Sequence, residues 1–174
     1  MALLILVGAT AFAAEPSWGV ADNGLRLGLS MSSGLFRSAI VSLENLSGEP
    51  MILLAGGSTN NGPFYAFTFL ATKANGDKCT VGNNLGGVGV AGYVEPIVFK
   101  LGPGAVEKVQ IPATKLFCSF AGFNFGLEEL FASGYSVKVV FKSEARAGAL
   151  YRLGKVWIGS VESASYRLAG TTSI

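Results

Sequence analysis

Between Tyr135 and Lys142 the chain sets Tyr135, Val137, Val139 and Phe141 against Ser136, Lys138 and Lys142, with Val140 the one apolar break on the polar side. Successive side chains on a strand point to opposite faces, so this row predicts a strand with one face buried. Ser133-Gly134 opens it, and the run from Ser143 to Ala149 closes it. The same period of two recurs at Leu25, Leu27 and Leu29, which alternate with Arg26, Gly28 and Ser30 after Asn23-Gly24. A further strand is predicted from Ser38 to Asn45, with Val41 and Leu43 inward, then a polar break through Pro50 and a short apolar run from Met51 to Ala55. Gly56 to Pro63 reads as a flexible loop, and Phe64 to Thr72 as the most aromatic strand. Asn75-Gly76 predicts a type I′ hairpin turn, which needs positive φ at both central residues.

The later segments are equally short. Tyr93 to Phe99 reads as a strand containing Pro96, and Leu101 to Gly104 as a tight turn into a strand from Ala105 to Ile111 that Pro112 ends. Leu127, Leu130 and Phe131 lie at helical spacing, which allows one or two helical turns ahead of Gly134. Leu150 to Leu168 reads as an edge strand or hairpin, and the tail after it as frayed. The pattern therefore predicts an all-β chain: a two-sheet antiparallel β-sandwich with about seven to nine strands and one short helix at most.

Residues Met1 to Ala14 break the pattern with an apolar run ending in small residues, and Ala11-Phe12-Ala13 has the form of a leader-peptidase site. The run is shorter than the roughly 20 residues a spanning helix needs, so it predicts a signal peptide, residues 15–174 as the mature domain, and no membrane span in that domain. It lacks a basic residue before the apolar core. The expected location is secreted or periplasmic.

Composition narrows the chemistry. The 174 residues fit one domain, 50% are apolar and 14% charged, and the chain carries 24 glycines. With a formal charge of +2 and scattered basic residues, no stripe is present to neutralise a run of phosphates, so nucleic acid is not an expected partner. Histidine is absent, which removes Ser-His-Asp and Cys-His catalysis and imidazole metal sites. Two cysteines and the two aspartates, Asp22 and Asp77, leave few metal ligands. Glu128 and Glu129 are adjacent and diverge on a helix, so they do not flank one bond as paired glycosidase carboxylates do, and Glu95 has no sequence relation to either. Neither an S-x-x-K nor a G-x-S-x-G motif occurs. The chain is read as a non-enzyme without a cofactor.

Gly87 to Gly92 formally fits G-x-G-x-x-G, but a strand rather than a helix follows, and the glycine-rich stretch from Gly82 reads as a surface loop. Asn45-Leu46-Ser47 is an N-glycosylation sequon in a cell that glycosylates, and otherwise a loop asparagine. Cys79 and Cys118 make an even pair in an oxidising compartment, which argues for one disulfide worth about 4 kcal/mol in loop-closure entropy. Two separate buried thiols is the competing reading. Leu116 to Phe131 gathers five phenylalanines, at 117, 120, 123, 125 and 131. They serve either as a crossover plugging one end of the sandwich or as an aromatic patch for a sugar, lipid or protein.

Trp18-Gly19 with Asn23-Gly24-Leu25-Arg26-Leu27, Glu44-Asn45 ending a strand, and Leu101-Gly102-Pro103-Gly104 before Ile111-Pro112 are joined by Ser133 to Val137 and Trp157 to Ser163. In these pieces the chain resembles the immunoglobulin-like sandwich modules of secreted and envelope-anchored bacterial proteins. The resemblance implies a non-catalytic binding or interaction module recognising a protein or cell-envelope glycan through loops, with Tyr93, Phe120, Phe123 and Phe125 as the expected contact residues. The alternative is a structural subunit that self-associates into fibres by strand addition.

Overall fold

A computed structural model describes residues 14–33, 37–59, 62–83, 95–120, 123–143 and 156–168. In chain order the strands are β1 Ser17–Trp18, β2 Leu25–Met31, β3 Ser38–Asn45, β4 Met51–Thr59 and β5 Gly62–Tyr65. They continue with β6 Phe67–Thr72, β7 Lys78–Asn83, β8 Glu95–Leu101 and β9 Val106–Pro112. A 3-10 turn, Ala113–Lys115, leads to β10 Leu116–Phe120, β11 Phe123–Gly126, helix α1 Leu127–Ala132, β12 Ser136–Ser143 and β13 Gly159–Glu162.

The molecule is an all-β sandwich, but the described residues hold thirteen strands in three antiparallel sheets rather than seven to nine in two. One sheet runs β1-β2-β3-β9, the second β11-β10-β7-β6-β12-β13, and the third β5-β4-β8. The surplus comes from strands of two to four residues, too short to show a period. It also comes from two hairpins that read as irregular chain. Gly56 to Pro63 is one of them, not a flexible loop. There β4 and β5 pair from Gly56↔Tyr65 to Thr59↔Gly62, and the register of β4 on β8 shifts between Leu54 and Gly56. Gly56 sits at φ 151°, and a Cβ there would lie 2.9 Å from Tyr65 Cα, so the bulge requires glycine.

The type I′ turn forms at Asn23-Gly24 and not at Asn75-Gly76, where the sequence predicts it. Asn23 and Gly24 have φ 47° and 78°, and Asp22 and Leu25 exchange both backbone hydrogen bonds, as a type I′ turn requires. At Asn75-Gly76 only Gly76 is positive, at φ 92°, and Lys73 N–H donates to the Asp77 carbonyl across a three-residue loop. The β6–β7 hairpin forms as expected through a different turn. Pro96 is tolerated because β8 is an edge strand, paired among the described residues only with β4.

The alternating rows meet in one core. Leu25, Leu27, Val137, Val139 and Phe141 are fully buried, and β2 packs across from β12 and β13. Tyr65, Phe67, Phe141 and Trp157 form a chain of ring contacts at 5.8, 5.6 and 5.7 Å that ties β5 and the third sheet to the second. The Trp157 backbone N–H completes that seam by donating to the Ile52 carbonyl at 2.8 Å.

Outside the core, Trp18 packs on β2 opposite Gly28, where a Cβ would lie 2.7 Å from its ring, and the Arg26 guanidinium sits 4.4 Å from its centroid. Arg26 in turn pairs with Glu44 on β3. No helix among the described residues is long and apolar enough to cross a membrane. The expected signal peptide lies almost wholly outside the described residues.

Candidate functional site

Leu116 to Phe131 is a hairpin followed by a helix. β10 and β11 pair at Phe117↔Gly126, Cys118↔Phe125, Ser119↔Asn124 and Phe120↔Phe123. At its root, β10 pairs with β7 only at Leu116↔Asn83 and Phe117↔Gly82. Beyond that point a disulfide takes over, joining Cys118 to Cys79 on β7 with Cα atoms 6.2 Å apart. Leu116 and Cys118 are buried, so the hairpin grows out of the core and is stapled where its hydrogen bonds to the sheet stop.

Helix α1 braces the far strand. Leu127, Leu130 and Phe131 are buried, and Phe131 meets Tyr166 edge-on at 5.8 Å. Glu129 Oε2 accepts the Gly126 N–H at 2.7 Å, which caps the helix start where β11 ends. Gly134, at φ 80°, ends the helix, with its N–H on the Phe131 carbonyl. The two carboxylates are thus engaged separately, Glu129 in the cap and Glu128 3.6 Å from Arg37.

Of the four expected contact residues, Tyr93 lies outside the described residues, as does most of the glycine-rich stretch before it. Phe120 and Phe123 pair in register at the hairpin tip. Phe125 is exposed, at 38%, opposite the disulfide-bonded Cys118. Positions 118, 120, 123 and 125 share one side of the hairpin by register. The structure therefore brings three of the four positions together.

The sequence reading missed a second feature beside the disulfide. On the outer face of β6, β7 and β12 a recess of about 500 Å³ is lined by Leu70, Thr72, Lys78, Thr80, Ser136 and Lys138, with Cys79 and Ser165 at its rim. Register explains the convergence: Ser136, Thr72 and Lys78 form one cross-strand row, and Lys138, Leu70 and Thr80 the next. The alternation shows these residues only as solvent-facing positions of separate strands; the pairing that makes them neighbours is not in it. Among the described residues no group of three or more Cys, Asp or Glu side chains is placed to hold a metal ion.

Comparison with protein families, curated proteins and solved structures finds no match to this chain.

Proposed function

We propose that the chain acts outside the cytoplasm as a non-catalytic recognition module, binding a protein or a cell-envelope glycan through the β10–β11 hairpin with Phe125 in the contact. The observation that carries this is an exposed aromatic held directly opposite a core-buried, disulfide-bonded residue. Aromatic anchors supply most of the energy of small interfaces, and holding one rigid beforehand lowers the ordering cost of binding. Export fits the leader-like Met1 to Ala14 and the use of both cysteines in one bond. The lack of histidine supports a role without acid-base chemistry.

The test compares wild type with Phe125→Ser on a glycan array and in pelleting with purified peptidoglycan. Binding lost in the variant, with an unchanged melting temperature, is the expected result; equal binding by the two proteins rejects the hairpin as the contact. Cleavage after Ala13 or Ala14 on expression in a bacterial host tests the export reading, and an intact N-terminus in the cytosolic fraction counts against it.

A second reading has its own observation. β11 ends the six-stranded sheet, with no strand beyond it among the described residues. An open edge accepts a strand from another copy, which builds fibres. A monomer at all concentrations in size-exclusion chromatography rejects that reading.

A further inference from the structure

The recess on the outer face of β6, β7 and β12 has a composition that selects its occupant. Its floor is Leu70, a half-buried leucine on the solvent side of a central strand. Around that floor stand the hydroxyl residues Thr72, Thr80, Ser136 and Ser165 and two lysines, Lys78 and Lys138; Ser136 Oγ donates to the Thr72 carbonyl at 3.1 Å. Lys78 has no carboxylate partner among the ion pairs of the described residues. Lys138 is paired with Glu162 on β13, on the side of β12 away from β6, at 2.6 Å, and its ammonium keeps two further bonds to give. The recess therefore favours an anion held first by Lys78.

The backbone excludes one way of binding. β6 is hydrogen-bonded to β7 on one side and β12 on the other, so no unpaired strand edge lies on the floor for an extended peptide to join. Recognition has to come from side chains: a small apolar floor, a ring of hydroxyls and two point charges. A sugar ring offers the matching set, with an apolar C–H face, several hydroxyls and a carboxylate.

We infer that this recess is a second binding site, for an acidic saccharide of the uronic-acid class, seated over Leu70 with its carboxylate on Lys78, and with Lys138 adding positive charge from the β12 side. The site needs neither Phe125 nor a strand partner, so it goes beyond the hairpin reading while giving its glycan branch a chemistry. The Cys79–Cys118 bond borders it and holds β7, the strand that carries Lys78 and Thr80, against the root of the hairpin.

The experiment is affinity electrophoresis of the full chain through gels containing polygalacturonate, neutral dextran or poly-glutamate. Retardation by polygalacturonate and not by dextran is expected. Lys78→Gln with Lys138→Gln should weaken it by roughly tenfold, the scale of two exposed charge contacts. Lys100→Gln with Lys108→Gln removes the same charge from β8 and β9 and should leave it intact. Thermal melts establish that both double variants fold. No retardation of wild type, or equal loss in the two double variants, overturns the site. Retardation by poly-glutamate as strong as by polygalacturonate overturns the saccharide assignment. Phe125→Ser separates the two proposals: if it abolishes peptidoglycan pelleting but leaves polygalacturonate retardation, both stand, and if retardation falls with it, the recess is not independent.

Discussion

Replacing Asn45 should cost more stability than replacing any other polar residue described in this chain. Its side chain is fully buried at the end of β3. Nδ2 donates to the carbonyls of Glu49, Leu101 and Gly102 at 2.8, 3.0 and 3.1 Å, and Oδ1 accepts from Ser47 N–H at 2.9 Å and Ser47 Oγ at 2.6 Å. Its backbone bonds Ala105 and Gly104, so one residue ties the β3–β4 loop to the β8–β9 turn. In Asn45→Ala the Leu101 carbonyl is left buried without its partner, at about 1–3 kcal/mol, while the outer groups rehydrate at about 0.5–1 kcal/mol each. The expected loss is about 3 kcal/mol or more. Asn45→Asp keeps the shape but aims a carboxylate at three carbonyl oxygens, which favours its protonated form in the folded state. A folded-state pKa raised in this way means the added penalty is absent below about pH 4 and grows as pH rises through the unfolded aspartate range. Urea unfolding followed by tryptophan fluorescence at pH 4 and pH 7 measures both effects. A loss under about 1 kcal/mol in Asn45→Ala, or an Asn45→Asp penalty no larger at pH 7 than at pH 4, refutes the hub.

The same burial predicts that chain secreted by a glycosylating host carries an unmodified Asn45, and intact-mass spectrometry showing a glycan on folded protein counts against it. Cys79→Ser with Cys118→Ser opens a loop of sequence separation 39 and should lower unfolding free energy by up to about 4 kcal/mol; a change below about 1 kcal/mol in urea would mean the staple is redundant. Gly28→Ala puts a methyl group 2.7 Å from the Trp18 ring, so in a Trp157→Phe background the emission should shift to the red with about 1–2 kcal/mol lost, and an unmoved spectrum contradicts the packing. Gly19→Ala drives a Cβ into the Glu162 carbonyl at the end of β13 and should lower the melting temperature, whereas Gly48→Ala, with open space around it, should not.

How much of this was legible follows from the range over which each residue does its work. β2, β3 and β12 were readable because leucine, valine and phenylalanine repeat every second position against a single core, and the bounds of β3 agree at both ends. The hairpins at Gly56–Tyr65 and Leu116–Gly126 were not, because their pairing is decided by glycines and short aromatic runs that carry no period. Asn23-Gly24 and Asn75-Gly76 are the same dipeptide in different turns; two residues separate Asp22 from Leu25 in one, three separate Lys73 from Asp77 in the other, and strand register sets that spacing. The least legible residues are those whose partners are distant: Asn45 on Leu101, Gly28 beneath Trp18, Gly19 against Glu162, Lys138 beside Leu70 and in one row with Thr80. In the linear pattern they look like a loop asparagine, spare glycines and scattered lysines. For the candidate sites this difference has a direction. The aromatic stretch stood out, though not its hairpin, because phenylalanine is conspicuous in any window, while the recess did not, because serine, threonine and lysine on the polar side of a strand are what solvent alone would select. Solvent does not require a leucine among them, and Leu70 is the residue on which the proposed saccharide site turns. Leu70→Thr should therefore leave stability within about 0.5 kcal/mol while weakening retardation by polygalacturonate, and a variant that binds as well as wild type would return that face to solvent.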